Sequence, residues 1–316
     1  MSLPLVIVNP TSASGATGSA WPQIASDLGS QFGPFKNVFT RKAGDAATLA
    51  NEAARKGCAF IIACGGDGTV SEVANGILAA GKDVELGILP SGTGGDFRRS
   101  LEIPSHTRSA ARILRTGKTR RIDVGRVTFF DHSGKEVTRY FLGVASCGLG
   151  TKVIERVKRG GPDWLPESAP QWLGGRVSFG ASLLQTAMNS EATRVAVEVD
   201  DARSRRLSVV SLCIANARFF GGGMKIAPEA KLDDGQFDLI SIGDLSALKI
   251  LSSAPKIYFG SHLSMSEVSH ALAKKVVVRP INRDQEVHLE IDGELLGRLP
   301  ATFQIIPHGL RVRCNG

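Results

Sequence analysis

An apolar run that leads directly into a glycine-rich loop is the feature that most restricts how this chain can fold. Residues 59–63 read Ala-Phe-Ile-Ile-Ala, which is typical of a buried strand, and residues 65–69 read Gly-Gly-Asp-Gly-Thr. Apolar residues then recur at helical spacing across residues 70–78. A second apolar run, residues 85–89, ends in another glycine-rich stretch, residues 91–96. This alternation predicts a parallel sheet covered by helices, with a ligand site at the carboxyl ends of the strands.

The first of these helices has its own start signal. Thr69 is followed three residues later by Glu72, which is the spacing of a capping box, where each side chain binds the backbone of the other residue. The pair predicts that the helix begins at the glycine loop.

The pattern changes after about residue 122, and the chain is long enough for two domains. Its 316 residues exceed the roughly 150 residues of a typical domain. We predict an α/β nucleotide-binding domain with a parallel sheet over residues 1–122. Later segments alternate apolar and polar residues, so we predict a mainly antiparallel β-sandwich domain over residues 123–316. Helical patterns interrupt it near residues 151–158, 178–188 and 246–259.

Charge and cysteine content limit the partners and the compartment. The chain has 38 basic and 30 acidic residues, a net charge of +8, which favours an anionic partner. Its five cysteines lack the spacing of a zinc site, so we expect reduced thiols in a cytoplasmic protein. No apolar run reaches the ~20 residues that a membrane-spanning helix needs, so we expect any membrane association to be peripheral.

Basic residues are concentrated between positions 98 and 121. Arg108, Arg112 and Arg115 there share one face of a predicted helix. A solvated helix face is the simplest interpretation. The alternative is a face that binds anionic lipid headgroups, where each cation contributes ~1 kcal/mol. Two Trp-Leu pairs, at residues 164–165 and 172–173, are interpreted either as loop packing or as side chains that insert among headgroups.

The glycine loop at residues 65–69 also has two interpretations. Glycines after a strand let the backbone approach a phosphate, and the next helix adds amide donors and the positive end of its dipole. Asp67 would then act on Mg²⁺ or its water; otherwise the loop is an ordinary turn with an Asp cap. It is not a P-loop, because no GxxxxGK[ST] sequence occurs, and Ser71 replaces the third glycine of a dinucleotide fingerprint.

A series of segments, taken in order, is more specific than any one of them. They are residues 9–12 (Asn-Pro-Thr-Ser), 65–75, 89–97, 122–125, 231–235 and 292–294 (Asp-Gly-Glu). This series resembles the diacylglycerol kinase catalytic family, which includes bacterial soluble lipid kinases and is related to sphingosine kinases. NAD kinases and phosphofructokinases share the Gly-Gly-Asp-Gly-Thr segment, whereas the second glycine stretch and the Asp-Gly-Glu segment are typical of the lipid kinases. Gly95 stands where the family usually has Asn, which leaves the identity of the acceptor open.

The resemblance implies that ATP binds in the cleft between the two domains, with Asp67 near the phosphates and their Mg²⁺. The residues implied in nucleotide binding are Asn9, Pro10, Thr11, Ser12, Thr40, Gly66, Asp67, Gly68, Thr69, Val70, Ser71, Glu72 and Thr93.

The resemblance also implies a second, structural Mg²⁺. Its ligands would be the carboxylate of Asp234 and the backbone carbonyls of Lys231 and Gln236, and such oxygen ligands suit this hard ion. By its residues alone, the Asp233-Asp234-Gly235 segment is an ordinary surface turn.

Asp292-Gly293-Glu294 ends an alternating strand, and this pattern by itself predicts a hairpin turn. The resemblance implies that the turn is catalytic. A carboxylate of Asp292 or Glu294 would accept the proton of a lipid hydroxyl as that oxygen attacks the γ-phosphorus, and we rank Asp292 first. Phosphoryl transfer depends mainly on positioning and charge neutralisation, which Asp67 would assist.

These features together predict an ATP- and Mg²⁺-dependent lipid kinase at a membrane surface, with diacylglycerol as the simplest acceptor. The alternatives are an NAD kinase-like small-molecule kinase and a basic nucleic-acid-binding protein. We expect no nucleic-acid partner, because aromatic residues make up only 6% of the chain and no RNP, KH, zinc-finger or helix-turn-helix pattern occurs. The oligomeric state stays open, a homodimer included, and we expect a cytoplasmic protein with peripheral membrane association.

Overall fold

The fold is taken from a computed structural model that describes residues 3–92, 94–149, 151, 192–282 and 285–315. Thr93, the predicted helix at residues 178–188 and both Trp-Leu pairs lie outside the described residues, as does the predicted helix at residues 151–158 apart from its first residue. The helices are α1 Ala16–Gln31, α2 Asp45–Arg55, α3 Asp67–Ala80, α4 Asp96–Ser100, α5 Thr107–Thr116 and α6 Ala247–Phe259. The strands are β1 Leu5–Val8, β2 Lys36–Phe39, β3 Phe60–Gly65, β4 Glu85–Pro90, β5 Lys118–Asp131, β6 Glu136–Phe141, β7 Val144–Gly148, β8 Thr193–Val199, β9 Arg205–Ala215, β10 Phe237–Gly243, β11 Val268–Ala273, β12 Lys275–Pro280, β13 His288–Ile291 and β14 Glu294–Cys314.

The first four strands place four loops at one edge of the sheet. They lie in the order β2-β1-β3-β4, and each neighbouring pair is parallel. Val8 lies opposite Phe39 and Cys64, and Cys64 lies opposite Leu89, so the four strands end at nearly the same height. The loops that follow them therefore meet at the carboxyl edge, where open α/β sheets bind ligands.

The predicted capping box does not form. Helix α3 begins at Asp67, two residues before Thr69, and its N-cap is Gly66, which has no side chain to offer. Glu72 therefore lies in the second turn and faces a different helix. Its carboxylate accepts hydrogen bonds from the backbone N–H groups of Gly44 (2.9 Å) and Ala46 (3.1 Å) at the start of α2. The prediction was wrong because the partner of Glu72 comes from a segment that is distant in sequence.

The rest of the described chain is rich in sheet, and its strands pair antiparallel with one another. Several predicted segments are confirmed, among them the helix near residues 246–259, which is α6. The predicted strand over residues 301–306 and the one over residues 310–313 are both parts of the 21-residue strand β14. The predicted domain boundary between residues 122 and 123 lies inside β5 and stays a prediction.

Strand β14 joins the two parts of the chain into one sheet. It pairs antiparallel with β5, β12 and β13, and near its end it pairs parallel with β4, with Arg311 opposite Glu85. At this junction Arg313 donates to the buried carboxylate of Glu85 at 2.6 and 2.8 Å, and Thr119 donates at 2.7 Å. Burial alone would raise the pKa of Glu85, but these hydrogen bonds and the charge of Arg313 lower it overall.

The apolar core follows this division. One cluster of buried residues fills the space between β1–β4 and helices α1, α2, α3 and α5, and a second lies among the strands of the later part. Asn75 on α3 connects the two parts: its side chain donates to the carbonyl of Tyr140 and accepts from the N–H of Tyr140, both at 2.9 Å. All five cysteines are free thiols. Within the described ranges, no helix is both long and apolar enough to cross a membrane.

Candidate active site

The loops after β1, β3 and β4 are packed against one another. The side-chain amide of Asn9 donates to Oγ1 of Thr69 at 3.0 Å, which joins the first loop to the start of α3. The N–H of Ser91 donates to the carbonyl of Gly65 at 3.0 Å. A Cβ atom on Gly92 would lie only 2.5 Å from Cα of Gly66, so this approach of two backbones requires glycine. The three loops form one polar surface at the carboxyl edge of the sheet.

The loop after β1 has a fixed shape of its own. The carbonyl oxygen of the Asn9 side chain accepts from the N–H (3.1 Å) and the hydroxyl (2.8 Å) of Thr11, which makes an Asx turn. The carbonyl of Pro10 accepts from the N–H of Gly18 on α1 at 3.0 Å. Oγ of Ser12 faces Gly65, 3.0 Å from where a Cβ would lie. The structure therefore brings residues 9–12 against the glycine loop, as a nucleotide site at this edge requires.

Asp67 links the two glycine loops directly. Its carboxylate accepts from the backbone N–H groups of Gly95 (2.6 Å), Asp96 (3.0 Å) and Phe97 (3.2 Å). These are the first amides of α4, so Asp67 caps a helix other than the one it begins. Asp67 therefore caps α4, and it lies where the two glycine loops meet.

The other predicted nucleotide-binding residues fall into different surroundings. Val70 is buried in the core, and Thr69 is buried where it accepts the bond from Asn9. Thr40 follows β2, and its N–H donates to the carbonyl of Val8 at 2.9 Å. Glu72 lies on α3, and its carboxylate binds backbone N–H groups at the start of α2. The assignment of these residues to nucleotide binding stays a prediction.

The hairpin that was predicted at Asp292 and Gly293 is confirmed. These two residues connect β13 to β14, with Ile291 paired to Glu294. Both have positive φ, 49° and 87°, as a two-residue type I′ turn requires. Glu294 lies against the glycine loop, since its Oε1 atom is 3.1 Å from where a Cβ on Gly68 would be.

The carboxylate of Asp292 lies next to α3. It accepts from the hydroxyl of Ser71 at 3.0 Å and from the N–H groups of Leu142 (3.1 Å) and Gly143 (2.8 Å). Burial raises the pKa of Asp292 to about 6; these three hydrogen bonds offset part of the rise, and the nearby charge of Asp67 adds to it. Because Ser71 stands one turn after Gly68, the acidic hairpin and the glycine loops share one site.

Two carboxylates in this region were not singled out from the sequence as site residues. Asp96 accepts from Arg99 at 2.7 Å and from the N–H of Gly222 at 2.8 Å. Burial and, to a smaller extent, the charge of Asp67 raise the pKa of Asp96. Glu290 is 2% exposed and lies beneath the Asp292-Gly293 turn. The sequence carried no signal for the burial of Glu290, because the alternation of β13 places it on the face opposite Leu289 and Ile291.

The predicted metal-binding turn stands apart from these contacts. Asp234 is exposed, and its Oδ1 atom accepts from the N–H of Gln236 at 3.1 Å, while Lys231 is exposed at the start of the turn. Buried Asp123 anchors the turn by accepting from the N–H of Gly235 at 2.6 Å. Among the residues that the structure describes, no group of three or more His, Cys, Asp or Glu side chains could hold a metal ion.

Paired glycine loops at a sheet edge, with a carboxylate positioned across from them, define the class of this protein as a phosphotransferase. Residues 4–127 match the model of the diacylglycerol kinase catalytic domain, and residues 167–314 match the YegS C-terminal NAD kinase beta sandwich-like domain. Residues 4–127 therefore belong to the diacylglycerol kinase catalytic family, and relatives named diacylglycerol kinase indicate that the chain is a lipid kinase, an activity that implies the use of ATP.

Named relatives cover nearly the whole chain. The diacylglycerol kinase of Mycobacterium tuberculosis is 29% identical over 97% of this chain and 93% of its own length. That of Bacillus subtilis is 28% identical over 94% of this chain and 91% of its own. A crystal structure of a diacylglycerol kinase from Bacillus anthracis has the same fold, with a TM-score of 0.73 at 22% identity over 99% of this chain and 97% of that one.

Replacing Asp67 with Ala should release the start of α4. Because three backbone N–H groups lose their acceptor, we expect the free energy of unfolding to fall by ~1–2 kcal/mol. Amide hydrogen exchange at Gly95, Asp96 and Phe97 should become faster, while that at Gly44 and Ala46 should not change. Glu72→Ala is the matched control and should give the opposite pattern. Unchanged exchange at the three α4 amides in Asp67→Ala would contradict this role.

Proposed function

We propose that this protein transfers the γ-phosphate of Mg-ATP to a hydroxyl of a membrane lipid, and that diacylglycerol is the acceptor, giving phosphatidic acid. The observation that carries the proposal is the 3.0 Å hydrogen bond between Ser71 on α3 and Asp292 on the acidic hairpin. It places a carboxylate with a raised pKa one helical turn from the glycine loop. The names of the relatives support diacylglycerol as the acceptor.

The residues of this site divide the work of phosphoryl transfer. The loops after β1, β3 and β4 offer backbone amides and hydroxyls to the phosphates. Asp292 accepts the proton of the attacking hydroxyl, and Glu294 lies beside Gly68 on the same hairpin. Magnesium, when bound, would neutralise phosphate charge. The carboxylates of Asp67, Asp96 and Asp292 suit such an ion. Burial is the main cause of the raised pKa values of Asp96 and Asp292, the charge of Asp67 adds to both, and a cation would relieve this repulsion.

The turn at Lys231, Asp234 and Gln236 is proposed as the structural Mg²⁺ site. One oxygen of the Asp234 carboxylate accepts a hydrogen bond from the N–H of Gln236, which fixes the orientation of the carboxylate. We assign the other oxygen to the metal ion. A single carboxylate with backbone carbonyls suits Mg²⁺, which usually keeps several waters.

An apolar cavity supports a lipid acceptor. Strands β9 and β10, helix α6 and the loop at residues 220–226 surround a cavity of about 90 Å³, several times the ~10–15 Å³ that one water needs. Its lining includes Phe220, Met224, Ile242, Ile250, Ala254 and Ile257. Between Phe220 and Met224 lies Gly222, whose N–H donates to Asp96 at the second glycine loop. We infer that an acyl chain occupies this cavity while the hydroxyl lies at Asp292.

Peripheral binding to an anionic membrane is part of the proposal. The predicted arginine face is confirmed as a face of α5: Arg108, Arg112 and Arg115 are exposed while Ala110, Ala111, Ile113 and Leu114 are buried. The lack of a nucleic-acid partner, the cytoplasmic location and the oligomeric state stay predictions.

Replacing Asp292 with Asn should abolish lipid phosphorylation. We expect kcat to fall by about 10²–10⁴-fold, because the amide cannot accept the hydroxyl proton. In the wild type, kcat/KM should rise about tenfold between pH 5 and pH 7, since a base with a pKa of about 6 becomes ionised over this interval. The measurement is transfer of radiolabel from ATP to diacylglycerol in mixed micelles.

The matched control is Asp201→Asn, because Asp201 also has positive φ (61°) but is exposed in another turn. It should keep the wild-type rate. Full activity of Asp292→Asn would rule out Asp292 as the base and transfer that role to Glu294 or water. A wild-type protein that phosphorylates none of the lipids tested would contradict the proposed function.

Filling the cavity should discriminate between acceptors by chain length. In Ala254→Phe we expect kcat/KM for long-chain diacylglycerol to fall at least about tenfold, which corresponds to ~1.4 kcal/mol. The kcat/KM for dihexanoylglycerol, which has short chains, and the KM for ATP should change little. Ser252→Phe adds the same ring on the exposed face of α6 and should have no such effect. Equal loss with short and long chains would show that the cavity does not bind the acyl chain.

Membrane binding should depend on the α5 arginines and on salt. Changing Arg108, Arg112 and Arg115 to Ala should weaken binding to phosphatidylglycerol-containing vesicles by about 100-fold, since each cation contributes ~1 kcal/mol. In the control, exposed Arg203, Arg205 and Arg206 are changed to Ala, which removes the same charge. Cosedimentation with vesicles at increasing salt measures the binding of both variants. Binding that does not respond to salt would contradict an electrostatic surface and favour apolar insertion.

A further inference from the structure

Glu290 is a buried carboxyl group with no part in the mechanism described so far. It lies on β13 opposite Ser146 of β7. One carboxylate oxygen accepts from the backbone N–H of Gly293, and the other lies 2.5 Å from the hydroxyl of Ser146. Burial of a carboxyl group is costly, so these two bonds have to compensate for lost hydration.

The bond from Gly293 acts on the geometry of Asp292. Asp292 has φ of +49°, a left-handed conformation that most side chains avoid and that Asp adopts in type I′ turns. The N–H of Gly293 belongs to the peptide that joins it to Asp292. Fixing this N–H therefore restricts ψ of Asp292 and holds the turn from which its carboxylate reaches Ser71.

Glu290 lies among other titratable groups. Those that face it are Asp292 on its own hairpin, Asp96 from α4 and the buried thiol of Cys213 on β9. Burial raises the pKa of Glu290 to about 7; the bonds from Ser146 and Gly293 lower it, and the charges of Asp292 and Asp96 raise it further. Burial and negative neighbours both favour the protonated form of a carboxyl group.

Ser146 fits a carboxyl group that is found in both protonation states near neutral pH. A serine hydroxyl donates to an ionised carboxylate and accepts from a protonated one. Glu290 can therefore keep its contact with Ser146 in either state, and its bond to Gly293 needs only an acceptor oxygen.

We propose that Glu290 is a positioning residue for phosphoryl transfer, which holds the Asp292-Gly293 turn in its left-handed form and thereby keeps the carboxylate of Asp292 beside Ser71. This inference rests on the proposed function, because Asp292 is the base there. It assigns no contact between Glu290 and the substrate.

Two substitutions test this role. Glu290→Ala removes the acceptor, so we expect kcat to fall about 10–100-fold, with the KM for ATP within about twofold of wild type. Glu290→Gln keeps an oxygen for the N–H of Gly293, so kcat should recover to within a few-fold of wild type. Because Gln cannot ionise, this recovery distinguishes the acceptor oxygen from the charge.

The control is Glu286→Gln, which removes an exposed charge that is paired with Arg298, and it should change neither kcat nor the pH profile. Thermal denaturation checks that each variant is folded. Wild-type kcat in Glu290→Ala would overturn the proposal. A Glu290→Gln variant as slow as Glu290→Ala would overturn the role of the acceptor oxygen.

Amide hydrogen exchange at Gly293 tests the contact without any activity. Exchange should become faster in Glu290→Ala and stay close to wild type in Glu290→Gln, and unchanged exchange in Glu290→Ala would overturn the proposal. A wild type that phosphorylates no lipid would reject the proposed function instead, while this exchange would still decide whether Glu290 holds the turn.

Discussion

The pairing of β14 is the constraint on which the site depends. This strand begins at the Asp292-Gly293 turn, runs beside β5 for most of its length and ends in parallel contact with β4. Strand β4 in turn leads into the second glycine loop. The hairpin and the loops are therefore held by one continuous set of backbone hydrogen bonds. The buried Glu85–Arg313 pair strengthens the point where the two parts meet.

The site concentrates negative charge that the protein stabilises in several ways. Backbone amides bind Asp67, a guanidinium and an amide bind Asp96, and a hydroxyl with two amides binds Asp292. Except for Arg99, which lies on α4 together with Asp96, each of these donors belongs to a different segment from its carboxylate, so the geometry is set by the surrounding fold. Such carboxylates lower the stability of the empty site, but they are already oriented for a cation, a phosphate or a proton.

Local patterns were sufficient for the loops and the hairpin. Glycine after an apolar run predicted both bends, and Asp-Gly after an alternating strand predicted the two-residue turn. The capping box failed, although its residues had the right spacing, because Glu72 binds amides 28 and 26 residues away. The contact between Glu290 and Ser146 could not be predicted from the sequence either, because the two residues lie 144 positions apart in the chain.

The sequence by itself determined which segments are strands, bends and helices across most of the described chain, because these depend on residues a few positions apart. It also determined the family, through the order of its motifs. Only the tertiary structure decided which carboxylates meet: that Asp67 caps α4, that Ser71 reaches Asp292 and that Glu290 supports the turn. The physical reason is that these contacts depend on the register of β14 and on the packing of α3, and neither is encoded by spacing along the chain.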